Sequence, residues 1–105
     1  MKQFNRYYIY ILLCADNSFY TGITNDLDRR IEEHNLGENP KCYTYSRRPL
    51  ALKYSEEYQN VNDAISREKQ IKGWSRKKKE ALMNGDYAEL MQLSKNKEKR
   101  LLGPE

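Results

Sequence analysis

The sequence predicts an α/β fold in which a small three-stranded sheet is covered by helices. Three β-rich runs and several runs with helical periodicity follow in the order strand, strand, helix, strand, helix, helix. A small sheet layered with helices is the arrangement that this order favours. The chain has 105 residues and no internal repeat or linker. We therefore expect one domain over residues 1–94, followed by a charged and frayed tail over residues 95–105.

The first two predicted strands form a hairpin. Residues 7–14 and residues 19–24 are rich in aromatic and β-branched side chains. The four residues between them, Ala-Asp-Asn-Ser, have the chemistry of a turn. An antiparallel hairpin is the expected result.

A helix follows the hairpin and begins at Asn25 or Asp26. Short polar residues cap helices, and acidic residues in the first turn suit the helix dipole. Leu27, Ile31 and His34 then recur at helical spacing, and a Leu-Gly pair ends the run. The remaining predicted elements are a polar loop at residues 38–49, a strand at 50–58, and helices at 61–72, 76–83 and 86–94, the third helix being capped by Ser75.

Charge and cysteine content restrict the class of protein. The formal net charge is +4 and the pI is about 9.0, which suits a polyanionic partner without requiring one. The two cysteines, Cys14 and Cys42, and the single histidine cannot complete a zinc site, so free thiols are expected. The apolar stretch at residues 7–14 is too short to span a membrane and precedes no cleavage site. We expect a soluble, cytoplasmic protein, and a monomer is assumed.

Glu68 is the most informative residue of the second predicted helix. It shares one helix face with Ala64, Ile65 and Ile71, so its carboxylate points toward the interior or its rim. A carboxylate there needs a metal, a cation or several hydrogen-bond donors. Neighbouring basic residues at the surface could equally neutralise it, and the pattern alone leaves both interpretations open.

The first helix and the hairpin contain further candidates. Arg30 flanks the apolar stripe of its helix, although helical geometry alone favours a solvated arginine. His34 is, on its own, more often a hydrogen-bonded helix-end residue than a proton carrier. Tyr10 and Tyr20 share a sheet face only if the hairpin register is even, and core packing is otherwise the better interpretation for both.

Two clusters of basic residues suggest contact with nucleic acid. Four consecutive cations at the start of the third helix oppose its dipole, which an anionic phosphate backbone would relieve. A solvated face is the alternative, and Trp74 within this region is expected to be a core residue. The candidate nucleic-acid contacts are Arg47, Arg48, Lys72, Arg76, Lys77, Lys78 and Lys79.

These residues together resemble the GIY-YIG nuclease superfamily. Tyr8-Ile9-Tyr10 and Tyr20-Thr21-Gly22 are similar to its two signature triads, and the resemblance covers residues 7–94. The run Ile-Lys-Gly-Trp-Ser-Arg-Lys-Lys-Lys is typical of small stand-alone bacterial members. Three positions depart from the pattern: Tyr8 replaces glycine, Thr21 replaces isoleucine, and Ile23 stands where excision-repair relatives carry lysine.

The resemblance implies a fold, a reaction and a set of catalytic residues. The implied fold is a three-stranded antiparallel sheet flanked by helices, and the implied reaction is metal-dependent hydrolysis of a phosphodiester in DNA or RNA. One Mg²⁺ or Mn²⁺ ion would be held by Glu68. Arg30 would neutralise the phosphate, Tyr20 or His34 would take the proton from the attacking water, and Tyr10 would position the water or the phosphate.

Two other functions remain open. The first is a module of the same fold that binds nucleic acid without cutting it. The second is a protein-interaction domain whose basic helix docks on an acidic protein. If both tyrosines serve the reaction, they must share a face, so the nuclease interpretation also predicts an even hairpin register.

Overall fold

The computed structural model describes the backbone of residues 5–102 and the side chains of residues 5–95. The chain divides into two compact units, Met1–Lys72 and Gly73–Glu105. The first unit contains the sheet and the helices that cover it, and the second contains the last two helices. A single domain over residues 1–94 therefore stays a prediction.

The first unit is built on a three-stranded antiparallel sheet, as predicted. The strands are β1 (Tyr7–Leu13), β2 (Phe19–Thr24) and β3 (Ala51–Tyr58), in the order β2-β1-β3. The central strand β1 has both faces covered, so Ile9 through Leu12 are all buried. This double burial explains why the sequence of β1 is continuously apolar or aromatic rather than alternating.

The register of the hairpin is even. Tyr10 pairs with Gly22, and Leu12 pairs with Tyr20. Because side chains alternate along a strand, Tyr10 and Tyr20 lie on the same face of the sheet. The prediction that the two tyrosines share a face is confirmed. Asn17, in the turn, adopts a left-handed conformation with φ 71°, which asparagine tolerates better than most residues.

Helix α1 (Leu27–Leu36) packs on the face that carries Tyr10. Its N-cap is Asp26, which accepts a hydrogen bond from the backbone of Arg29, and its C-cap is Gly37 at φ 68°. Both ends match the sequence prediction. Leu27 and Ile31 pack against the buried cluster that contains Tyr10. The helix thus brings its other inward residues over the same sheet face.

The loop after α1 is held firmly against that helix. Asn35 accepts a hydrogen bond from the backbone N–H of Leu50 at 2.9 Å and donates one to its carbonyl at 3.3 Å. A short 3₁₀ turn, Tyr45–Arg47, lies inside the loop. Thr44, just before this turn, is 1% exposed. The loop predicted as polar therefore contributes a fully buried side chain beside α1.

Helix α2 (Val61–Lys72) covers the opposite face of the sheet. Arg67 on this helix makes two hydrogen bonds of 3.0 Å to Glu56, which pairs with Ile9 and so faces away from Tyr10. The expectation that Ile65 belongs to the buried helix face is wrong, because its side chain is 38% exposed. The buried stripe is narrower and runs through Ala64 and Ile71.

The second unit contains α3 (Arg76–Met83) and α4 (Tyr87–Leu102), which pack together. Ser75 caps α3 by accepting from the backbone of Lys78, as predicted. The predicted end of the last helix near residue 94 is wrong. Strong helix formers continue past that point and no glycine or proline intervenes before Gly103, so the helix runs to Leu102. The final part of the predicted frayed tail, residues 103–105, lies outside the described residues.

Candidate functional site

Four predicted site residues meet on the face of the sheet beneath α1. The ring centroids of Tyr10 and Tyr20 are 6.2 Å apart. The ring of His34 lies 5.8 Å from that of Tyr10 and 5.1 Å from that of Tyr20. Arg30, one turn before His34 on α1, interacts with the Tyr10 hydroxyl. Two strands and one helix thus bring an arginine, an imidazole and two phenols into one cluster.

A buried hydrogen-bond network joins this cluster to the loop after α1. The Tyr10 hydroxyl lies 2.9 Å from Nε2 of His34, and Nδ1 of His34 lies 2.8 Å from Oγ1 of Thr44. The Thr44 hydroxyl donates to Sγ of Cys42 at 3.3 Å. Sequence reasoning missed Thr44 and Cys42 as site residues, because a loop has no periodicity that reveals which side chains turn inward.

Gly22 is required by the close approach of the Tyr10 ring. The two residues are paired across β1 and β2, and the tyrosine ring lies directly over the glycine. A Cβ atom at Gly22 would overlap the Tyr10 hydroxyl and the ring carbon that bears it. The glycine of the second triad therefore provides the space in which Tyr10 lies flat and reaches His34.

Arg30 is not the solvated arginine that helical geometry alone favours. Its side chain is 33% exposed, whereas that of the preceding Arg29 is 71% exposed. Arg30 bonds to Oε1 of Glu33 at 3.1 Å and also lies against Tyr10. The guanidinium is thus held at the edge of the cluster, and it also lines a small cleft with His34, Cys42 and Tyr45.

Burial keeps the two buried polar groups of the cluster neutral. Desolvation, followed by the nearby phenol of Tyr20, raises the pKa of Tyr10 well above its usual range. Desolvation, followed by the positive charge of Arg30, lowers the pKa of His34 to about 4. Both ring nitrogens of His34 are already engaged, so this residue has no ring nitrogen without a hydrogen-bond partner.

The low pKa of His34 predicts a pH-dependent stability. An unfolded histidine titrates near 6.5, so between about pH 6.5 and 4 the unfolded state binds more protons than the folded state. The free energy of unfolding should fall as pH falls through this window, by up to about 1.4 kcal/mol per pH unit. Denaturant titrations of wild type and His34→Gln would check this, since the variant should lose that slope. NMR titration of this single histidine with a midpoint near 6.5 would contradict it.

Glu68 pairs with a neighbour on its own helix. It lies on α2, which covers the opposite face of the sheet, and its side chain is 14% exposed. Its carboxylate pairs with Lys72 at 3.2 Å. Among the described side chains, no hydrogen bond or ion pair links Glu68 to Tyr10, Tyr20 or the two α1 residues. The structure therefore does not itself join the predicted metal ligand to the cluster.

The donor chemistry of Glu68 fits a hydrated hard cation but not a protein cage. Within residues 5–95, no group of three or more histidine, cysteine or acidic side chains could hold a metal. Mg²⁺ often binds through one carboxylate and takes its other ligands from water and substrate phosphates. A single, largely buried carboxylate such as Glu68 is compatible with that mode.

The basic residues of the loop are engaged with the loop itself. Arg47 lies 3.8 Å over the ring of Tyr43 and pairs with Asp16 at 2.9 Å, and Arg48 lies 4.6 Å over the ring of Tyr45. The Tyr43 ring in turn stacks on Tyr20, with centroids 6.2 Å apart. Both arginines thus brace the loop beside the cluster, and their contact with nucleic acid stays a prediction.

The basic run of the second unit is not uniformly solvated. Lys78 is 7% exposed, and its ammonium lies 4.4 Å from the Trp74 ring. Its neighbour Lys79 is half-buried, and burial lowers its pKa. Arg76 pairs with Glu80 at 3.3 Å. The burial of Lys78 does not favour its predicted contact with phosphate. Arg76 and Lys77 are exposed, as is Lys72 in the first unit, and their contacts with nucleic acid stay predictions.

None of the helices in the described part of the chain is both long enough and apolar enough to span a membrane.

Residues 6–81 match the model of one protein family, the GIY-YIG catalytic domain. Similar chains are named UPF0213 proteins. The one from Limosilactobacillus reuteri is 43% identical over 92 residues, covering 87% of this chain and 96% of that protein. The one from Bacillus pumilus is 42% identical over 95 residues and 90% of each chain. An archaeal relative from Haloquadratum walsbyi is 46% identical over 76 residues, which cover 72% of this chain and 84% of that protein.

Two solved structures have a similar fold. A UPF0213 protein from Bacillus halodurans, determined by solution NMR, is 39% identical with a TM-score of 0.51, covering 85% of this chain and 97% of that one. A protein from E. faecalis is 34% identical with a TM-score of 0.57, covering 84% of this chain and 93% of that one. Both solved structures match the α/β fold over nearly their whole length.

Proposed function

Because the chain belongs to the GIY-YIG catalytic-domain family, we propose that it is an endonuclease that hydrolyses phosphodiester bonds in DNA or RNA with one divalent metal ion. The observation that carries this proposal is the cluster of Tyr10, Tyr20, Arg30 and His34 on one sheet face. A nucleic-acid-binding surface needs cations, but it has no need of a buried phenol hydrogen-bonded to an imidazole.

Three of the four clustered side chains would take separate parts in the reaction. Arg30, held at the edge of the cluster, would neutralise the negative charge that develops on the phosphate oxygens. Tyr10 is held protonated by burial, so its role is to position the phosphate or the attacking water. Tyr20, half-buried on the edge strand, would act as the general base, passing its own hydroxyl proton to solvent as it takes the proton of that water.

Glu68 would hold the Mg²⁺ or Mn²⁺ ion, whose chemistry when bound is to polarise the phosphate and stabilise the leaving oxygen. The proposal requires this carboxylate to serve the same phosphate as the cluster. The edge strand β2 offers a place for this, because it carries Tyr20 and α2 packs against it.

One cleavage assay tests the proposal. Wild type, Glu68→Gln and the exposed matched control Glu32→Gln are incubated with single-stranded, branched and damaged DNA and with RNA. Mg²⁺, Mn²⁺ and a chelator are compared. We expect metal-dependent cutting by wild type and by the Glu32 variant. Glu68→Gln should cleave about 100-fold or more slowly than wild type, since a bound metal contributes several kcal/mol to stabilising the transition state. Equal rates in the two variants would contradict the proposal.

A second candidate function is nucleic-acid binding without cleavage. The ion pair between Glu68 and Lys72 favours it, because it already neutralises the carboxylate that a metal would need. Salt-sensitive binding without cutting on any substrate would support this candidate. Absence of binding at low salt would instead favour a basic protein-interaction domain.

A further inference from the structure

The hydrogen bonds of the buried network in the candidate site have one favoured donor-to-acceptor direction. The environment of Tyr10, beside Arg30, indicates it first. The Arg30 guanidinium beside Tyr10 can only donate hydrogen bonds, so it offers the Tyr10 hydroxyl proton no acceptor. The Tyr10 hydroxyl proton then needs an acceptor, and Nε2 of His34 lies 2.9 Å away. Nε2 must therefore carry the lone pair, which places the imidazole proton on Nδ1.

The same direction follows independently from the Cys42 end. The Thr44 hydroxyl has one proton, which it donates to Sγ of Cys42 at 3.3 Å. Its oxygen, 2.8 Å from Nδ1 of His34, must then accept rather than donate. Nδ1 again carries the proton. The hydrogen bonds from Tyr10 to His34, from His34 to Thr44 and from Thr44 to Cys42 thus all run in the same direction.

The reversed arrangement leaves polar groups without partners. If Thr44 donated to Nδ1, the imidazole proton would sit on Nε2 and point at the Tyr10 oxygen. Tyr10 is only 1% exposed. Its hydroxyl would then have no acceptor for its own proton within this network. A buried donor without a partner is costly, so the chain has one favoured direction.

We infer that Thr44 is a positioning residue that fixes His34 in the tautomer protonated on Nδ1 and so directs the Tyr10 hydroxyl toward Nε2. Cys42 completes this arrangement as the terminal acceptor. Burial raises the pKa of the Cys42 thiol, but hydrogen bonds from Thr44 and the charge of Arg30 outweigh it, so the net pKa is lowered, as a good acceptor requires. The catalytic consequence rests on the proposed function, whereas the tautomer does not.

Because His34 is the only histidine, its imidazole nitrogens can be observed without ambiguity in the ¹⁵N-labelled full-length chain. At neutral pH, the wild-type spectrum should show a protonated Nδ1 and an unprotonated Nε2. Thr44→Val keeps the side-chain shape and removes the hydroxyl, so it should shift the tautomer ratio by about tenfold or more toward Nε2–H. Thr44→Ser should retain the wild-type tautomer.

Cys42→Ala provides a second variant that leaves the threonine in place. Without the sulfur acceptor, the Thr44 hydroxyl is free to donate to Nδ1, and the ratio should move in the same direction. A wild-type Nε2–H tautomer would overturn the inference. So would wild-type tautomer ratios in both variants, with amide spectra showing an intact fold.

Kinetics separate this inference from the proposed function. If both hold, Thr44→Val lowers kcat while leaving KM nearly unchanged, and Thr44→Ser restores kcat. A tautomer shift with unchanged kcat would support the positioning of His34 by Thr44. It would also show that the Tyr10–His34 hydrogen bond does not contribute to catalysis. No shift together with a lowered kcat would overturn the positioning role and leave the nuclease proposal standing.

Discussion

Replacing Arg30 by alanine is expected to lower the rate of metal-dependent cleavage by about 10²–10³-fold, the usual cost of removing one charge-stabilising donor. The loss is expected because Glu33 and Tyr10 hold the Arg30 guanidinium at the edge of the cluster, beside the proposed phosphate position. Single-turnover rates at saturating enzyme would measure the loss directly. Arg30→Lys should recover only part of it, because an ammonium keeps the charge but lacks the planar fork.

Arg29→Ala is the matched control for this experiment. Arg29 precedes Arg30 on α1, pairs with the same Glu33 at 3.2 Å and is 71% exposed. Its loss should leave the cleavage rate within about twofold, because an exposed ion pair contributes little. Equal losses in the two variants would mean that general positive charge, rather than the placement of Arg30, supports activity.

Replacing Gly22 by alanine is expected to destabilise the protein by about 1–3 kcal/mol, the usual range for overpacking. The added methyl group would occupy the position of the Tyr10 hydroxyl and ring. Tyr10 would have to leave His34, so cleavage should fall as well. Urea denaturation would measure the change in the free energy of unfolding. An unchanged midpoint would contradict the close approach of the Tyr10 ring to Gly22.

The Tyr10→Leu background tests whether the overlap is the cause. Removing the ring removes the three atoms nearest to the added Cβ, which are Oη, Cζ and Cε1 of Tyr10. Gly22→Ala should therefore cost less in this background than in wild type, which a double-mutant cycle would detect as a coupling energy. Additive costs would show that alanine acts through the backbone of β2 and not through the tyrosine.

The elements and the cluster were largely predictable from local chemistry. Helix caps at Asp26 and Ser75 located two helix starts, and the hairpin turn located two strands. The shared face of Tyr10 and Tyr20 depended on the register, which residue pattern alone left open. Only the requirement that both phenols serve one reaction predicted the observed pairing.

Other features depended on tertiary contacts that a sequence pattern does not encode. Thr44 is buried because its loop folds back on α1, and no periodicity marks such a residue. Lys78 looked like part of a solvated cationic face, but it is buried beside Trp74. The placement of Glu68 near Arg30 stays a prediction, because amphipathic spacing does not state which sheet face a helix covers.

The central claim is that the carboxylate of α2 and the cluster beneath α1 serve one metal-bound phosphate across the edge strand. Paramagnetic line broadening by Mn²⁺, recorded on the ¹⁵N-labelled protein with a non-cleavable phosphodiester, measures this most directly. We predict that broadening reaches the amides of both Glu68 and Tyr20, and that Glu68→Gln abolishes both effects. Broadening confined to α2, or effects at Tyr20 that survive in the variant, would contradict the claim.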